Sequence, residues 1–326
     1  MGAVREPERC RDVFGVLREV VVEDVGEFVT PGSVLEQRLV HVDGALFVRK
    51  YVSRAAGARD PRRYDLLDRE VRAGTRLGQV FKRLYPRELA RLAAYNLDVE
   101  EPFALLHAYH GEPAIGPASR FAEDERRRFE QELFRALVLT AAAGVVHGAV
   151  GMEAVRWQEG RLQLVDFEHA LRVGDPRWDA SSPDGAGRAG ARADPRDDVW
   201  DAARLLRRVS LGPHADGPVL DRARDPERLR VLLDPVFDNP VELRPRAAEV
   251  LAALRGDPSL PPTTDPEAGL GPGRALFDQV SAAKGGPPSP PPARPPRRGR
   301  RGLRLFSLLA VAVLTATAPF GKGARR

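Results

Sequence analysis

Twelve prolines crowd into residues 256–302 of this 326-residue chain, with Pro-Pro-Ser-Pro-Pro-Pro-Ala-Arg-Pro-Pro at 287–296. Proline fixes φ and lacks a backbone donor, so such a run predicts an extended linker without a core. Only residues 274–283 within it have the spacing of a short amphipathic helix. The folded part is therefore expected in residues 1–255. Beyond the linker, residues 305–320 form an uncharged, mostly apolar run. Arg294, Arg297, Arg298, Arg300, Arg301 and Arg304 precede it, and Lys322, Arg325 and Arg326 follow. This pattern predicts a transmembrane helix over 303–321, near the short end of the roughly 17–25 residues that span a bilayer. A short basic tail, 322–326, would follow it. The arginine bias predicts a single-pass C-terminal anchor in the cell membrane, with the large domain cytoplasmic and anionic lipid meeting the stretch from Arg294 to Arg304.

The same asymmetry narrows the partners. Residues 256–326 hold 11 basic and 4 acidic side chains, leaving 40 and 42 in residues 1–255. The basicity belongs to the tail, so a nucleic-acid-binding face on the folded part is not expected. A single cysteine, Cys10, rules out an intrachain disulfide and points to a reducing compartment. The first ten residues lack the apolar stretch of a signal peptide.

Within 1–255 the pattern predicts an α+β fold. Apolar runs at 34–42 and 45–52 flank Asp43-Gly44, a strong two-residue hairpin signal. Leu67, Glu70, Val71, Gly74 and Leu77 share one face of a helix expected over 60–80. Strands are expected at 89–97 and 103–109, then a helix from Phe121 with Phe129, Leu133, Ala136, Leu137 and Thr140 on one face. A hairpin turning at Glu159-Gly160 and helices at 198–209 and 246–254 complete the reading.

Two short motifs add chemistry: His147-Gly148-Ala149-Val150-Gly151-Met152-Glu153-Ala154, and Leu164-Val165-Asp166-Phe167-Glu168. Their order and spacing match a catalytic loop of the H-R-D-L-x-x-x-x-N type followed by D-F-G. Over about residues 15–255 the chain thus resembles the bacterial serine/threonine protein kinase family. The resemblance implies a two-lobed fold, with a small, mostly β N-lobe at about 15–108 and a mostly α C-lobe at about 112–255. It implies ATP and Mg2+ as possible cofactors. Lys50 would be the phosphate-binding lysine, and Glu70, 20 residues on, its helix partner. Val34 and Val48 would line the nucleotide pocket, and Ala108-Tyr109-His110-Gly111 would be the hinge that meets adenine. Asp166 would hold metal, with Glu168 a weaker candidate. His147 and Phe167 would be structural, Asp198 would open a buried helix and brace the loop, and Asp184 would pair with Arg244.

The departures fall on the reacting groups. The catalytic aspartate is Ala149, the phosphate-steadying lysine is Gly151, and the metal-binding asparagine is Ala154. Glu27, Val29 and Gly32 stand at the three positions of the glycine-rich loop, and Val48 narrows the adenine pocket. Lys50, Glu70 and Asp166 could persist either as an internal ion-pair cluster or as a nucleotide holder. The resulting expectation is a membrane-anchored pseudokinase, a nucleotide-sensing or scaffolding module that offers its C-lobe groove or its proline-rich linker to protein partners in signalling. The alternative is a weakly active Ser/Thr kinase using Glu153 or Glu168 as base. A small-molecule phosphotransferase, which needs the same missing groups, ranks behind both.

Overall fold

A computed structural model describes residues 7–177, 192–215 and 221–268, with a few further positions between 271 and 280. The N-terminal half is a seven-stranded antiparallel sheet. Its strands are β1 (Glu8–Asp12), β2 (Leu17–Val20), β3 (Val22–Glu27), β4 (Glu36–Val42), β5 (Ala45–Tyr51), β6 (Leu92–Asn96) and β7 (Phe103–His107). The spatial order is β2-β1-β6-β7-β5-β4-β3. Strands β2 and β3 stand at opposite ends of that order, yet Val21 alone separates them in the chain. The sheet must therefore curl until its two ends meet. Side chains alternate across it, as the period of two requires. Cys10, Val40, Val42, Ala94, Phe103 and Leu105 fill the inside of the curl, while Leu92, Ala104 and Leu106 join the main core.

The Asp43-Gly44 hairpin is as the sequence predicts, with Val42 opposite Ala45 and both turn residues at positive φ. Two helices follow it, α1 (Arg54–Arg59) and α2 (Arg62–Phe81). Ser53 caps α1 by accepting from the Ala56 N–H. Helix α2 lays Leu67, Glu70, Val71, Gly74, Leu77 and Phe81 toward the interior. Gly74 is there for space, since a Cβ would lie 2.6 Å from the Leu92 Cβ.

The second half holds short ladders and helices. These are β8 (Glu112–Pro113), α3 (Glu123–Ala142), β9 (Val145–Val146), β10 (Val155–Gln158), β11 (Arg161–Leu164), β12 (Leu171–Arg172), α4 (Pro195–Leu211), α5 (Glu227–Phe237) and α6 (Ala247–Ala253). The hairpin β10–β11 pairs with β8, and β9 pairs with β12. Asp194 and Asp197 form a capping box that starts α4, with Pro195 at its first position. One apolar cluster runs without a break from α2 and β6 through α3 and the β10–β11 hairpin to α4, α5 and α6.

Three expectations need adjustment. The sheet begins at Glu8 rather than near residue 15, and α5 was not foreseen. The proline-rich segment is irregular at its start, as expected, but residues 257–268 are held against the fold by hydrogen bonds from Arg135 to Asp257 O and from Thr264 N to Val80 O. The compact unit reaches Gly273. Asp184, the arginine-rich stretch and the predicted span 303–321 lie outside the described residues. Among the described residues no helix is long and apolar enough to cross a membrane.

Candidate functional site

Strand β5 turns Val48 and Lys50 inward, and both side chains are fully buried. Three carboxylates meet the Lys50 ammonium. Glu70 comes from α2 at 2.9 Å, while Asp166 at 2.5 Å and Glu168 at 3.0 Å come from the turn after β11. Burial alone would push the Lys50 pKa down, but the carboxylates, Asp166 foremost, hold it well above its usual value. The excess negative charge falls on the acids. Burial pushes Glu70 up to about 7, against the pull of Lys50 and with help from Asp166 and Glu168. Asp166 is also raised, by burial first. Its backbone is left-handed at φ +61°, and both carboxylate oxygens are buried without a hydrogen bond, so the Lys50 ion pair is their main support.

Glu168 behaves differently. Burial would raise it, but Lys50 together with donors from Ser33 and Val34 holds it below the usual carboxylate range. The Ser33 hydroxyl and the Val34 N–H, the latter at 2.9 Å, both donate to this carboxylate. The loop between β3 and β4 is thereby fastened over the Lys50 cluster. It touches the second half again at Gly32, where an added Cβ would lie 2.9 Å from the Glu153 Cβ.

The segment after β7 is just as occupied. The His110 N–H donates to Gln163 Oε1 at 2.8 Å. Gly111 O accepts from Arg156 Nε at 3.0 Å and from its Nη2 at 2.6 Å. Arg156 is 8% exposed, and its guanidinium lies 5.7 Å from the ring centres of both Phe28 and Tyr109. Those rings meet edge-on at 5.9 Å. Arg156 and Gln163 face each other across the β10–β11 hairpin, so one register delivers both groups to one spot. Val34, Ala108 and Tyr109 are each partly buried.

Below the cluster lies the loop that starts at His147. Asp198, at the start of α4, accepts from the His147 N–H at 2.7 Å and the Gly148 N–H at 2.8 Å. Burial pushes Asp198 up to about 7 in spite of those two donors. The His147 ring packs 4.7 Å from Phe167. Its Nε2 meets Val165 O at 2.9 Å and its Nδ1 accepts from the Ala149 N–H at 3.3 Å. That network assigns a neutral ring with the proton on Nε2, in keeping with burial that lowers its pKa to about 4. Gly148 sits at φ +77°, and a Cβ there would lie 2.7 Å from His169 O. Ala149, Gly151 and Ala154 follow, with no carboxylate, amine or amide among them.

The structure therefore brings Lys50, Glu70, Asp166 and Glu168 together and places His147, Phe167 and Asp198 as a brace beneath them. Arg244 packs against α4. Its guanidinium stacks 4.4 Å from the Trp200 ring centre and lies 4.0 Å from Asp197. Ser33, Arg156 and Gln163 were missed by sequence reasoning. The available signal was a polar residue flanked by apolar ones in each of two strands, Val155-Arg156-Trp157 and Leu162-Gln163-Leu164, opposite each other once the Glu159-Gly160 turn is set. Among the described residues no group of His, Cys, Asp and Glu is arranged to hold a metal ion. No protein-family model and no curated protein matches this chain.

Proposed function

We propose that this chain is a protein kinase-like module that no longer handles ATP and serves as a membrane-anchored scaffold for protein partners. One observation carries the reading: the chain's own side chains occupy both ends of the place where a kinase would hold nucleotide. At the hinge, Gln163 takes the His110 N–H and Arg156 takes Gly111 O, the kind of backbone groups adenine would use. At the phosphate end, Glu168 gathers the loop hydroxyl of Ser33, the Val34 N–H and the Lys50 ammonium. A carboxylate that accepts from a backbone N–H, a hydroxyl and an ammonium plays the part of an internal phosphate. ATP and Mg2+ do not fit this arrangement, because Glu70, Asp166 and Glu168 enclose the Lys50 ammonium and Glu168 takes the Ser33 hydroxyl and the Val34 N–H. The candidate bases are committed as well, Glu168 to its three donors and Glu153 to Arg208 at 3.5 Å. The membrane part of the proposal rests on the apolar run at 305–320.

Thermal shift with ATP and Mg2+ tests the nucleotide part. The wild type is expected to show no shift, and Glu168→Gly combined with Arg156→Ala to show one. A shift in the wild type that Lys50→Ala abolishes would overturn the closed reading, and transfer of labelled phosphate by the wild type would overturn the loss of activity. Membrane fractionation with and without residues 303–326 tests the anchor, and equal soluble recovery would count against it.

A further inference from the structure

Helix α2 ends at Phe81, and the last carbonyls of any helix lack intrahelical donors. One of them, Val80 O, is satisfied from far along the chain by the Thr264 N–H at 2.9 Å. The path to that contact is fixed at several points. Beyond α6, Leu254 O accepts from Gln131 Nε2 at 2.8 Å, and Asp257 O accepts from Arg135 Nη1 at 3.1 Å; both donors lie on α3. The Asp257 carboxylate holds the turn through the Ser259 N–H and hydroxyl. Asp265 then accepts from the Glu267 N–H at 2.8 Å. The Glu267 carboxylate meets Arg76 of α2 at 3.2 Å and also Arg172 of β12. Arg76 in turn donates from Nε to Ala143 O, just past the end of α3.

Residues 257–268 thus cross from α3 to the C-terminal turn of α2, and one carboxylate then ties α2 to the segment that follows Phe167. We propose that this stretch is a releasable strap that holds α2, and with it Glu70, against the Lys50 cluster. The strap holds by two kinds of contact, a backbone hydrogen bond at Val80 and a charge cluster at Glu267. The charge cluster is its release point. Glu267 is 23% exposed and Arg76 25%, so salt reaches the pair and screens it. The inference is independent of whether the chain ever held a nucleotide, because it concerns only how α2 is kept in place.

Hydrogen exchange of the full chain, followed by mass spectrometry at low and high salt, tests it. In Glu267→Gln, peptides from the second half of α2 should exchange several-fold faster than in the wild type, while β4–β5 peptides stay unchanged. High salt should produce the same change in the wild type and add little in Glu267→Gln. Thr264→Pro, which removes the donor to Val80 O, should loosen α2 without altering the salt response. Unchanged α2 exchange in both variants would overturn the strap. So would a uniform rise over the whole chain, or an α2 response to salt that is equal in the wild type and Glu267→Gln.

Discussion

Lys50 is the residue on which the interior charge of the molecule turns. One ammonium faces three carboxylates inside the protein, and no pair among them can be removed cleanly. Deleting one partner of a buried ion pair leaves a charge without compensation, a loss of about 3 kcal/mol or more. Lys50→Ala is therefore expected to lower stability by about that amount, read from urea denaturation. Glu70 gives the opposite result with a definite pH dependence. Its pKa rises from 4.5 to about 7 on folding. Within that window the folded chain holds a proton that the unfolded chain has released, so stability falls as pH rises, and the whole penalty is present above about pH 7. Glu70→Gln keeps an acceptor for Lys50 and carries no charge. Its stability relative to the wild type should improve by roughly 1–3 kcal/mol between about pH 5 and pH 8. Glu168, with a lowered pKa, acts in the other sense, its contribution fading in acid in both proteins. At this scale the sequence is legible where spacing is rigid. A hairpin and a helix, each legible from its own pattern, carry Lys50 and Glu70, and the approach of the two residues follows from the family resemblance. The role of Glu168 does not, because it depends on where a loop well over a hundred residues upstream comes to rest.

Among the elements, α2 does most to position the site, and its small residues explain how it gets close enough. Alanine is the better helix former by about 1 kcal/mol, so Gly74→Ala would stabilise an isolated helix. Here the new Cβ would meet the Leu92 Cβ at 2.6 Å and its Cδ2 at 3.0 Å. The steric cost of overpacking, about 1–3 kcal/mol, outweighs the propensity gain. Gly74→Ala should therefore lower the urea midpoint, and an unchanged or raised midpoint would show that α2 can back away from β6. The predicted bounds of α2 and the β4–β5 hairpin, and the predicted start of α3, agree closely with the structure, because each has a clean period. The strands β2 and β3 were hidden by their composition. Leu-Arg-Glu-Val and Val-Glu-Asp-Val-Gly-Glu are short and charged, since they lie at the ends of the sheet with side chains mostly exposed. Helix α5 was obscured by Pro235, which sits near its C-terminal end. The carbonyl it deprives of a donor belongs to Val231, a residue 68% exposed, where water can serve instead.

Across the whole molecule, the continuous core and the contacts of 257–268 join the two halves in one compact unit. The sequence anticipated the α+β class and the order of strands before helices. It could not show that the start of the proline-rich stretch is recruited to the fold, because the contacts of Thr264 and Glu267 are made with α2 and β12, far away in the chain. The curl of the sheet has a consequence for chemistry from outside. The only sulfhydryl, Cys10, faces the inside of the curl and is 1% exposed, and burial, with Glu8 and Asp12 nearby, pushes the thiol pKa up. An alkylating reagent must wait for the wall to open, so modification becomes a clock. Labelling should be slow in the native protein, proceed as a single phase, and speed up with urea in step with the opening of the sheet; prompt reaction without denaturant would mean that the curl breathes.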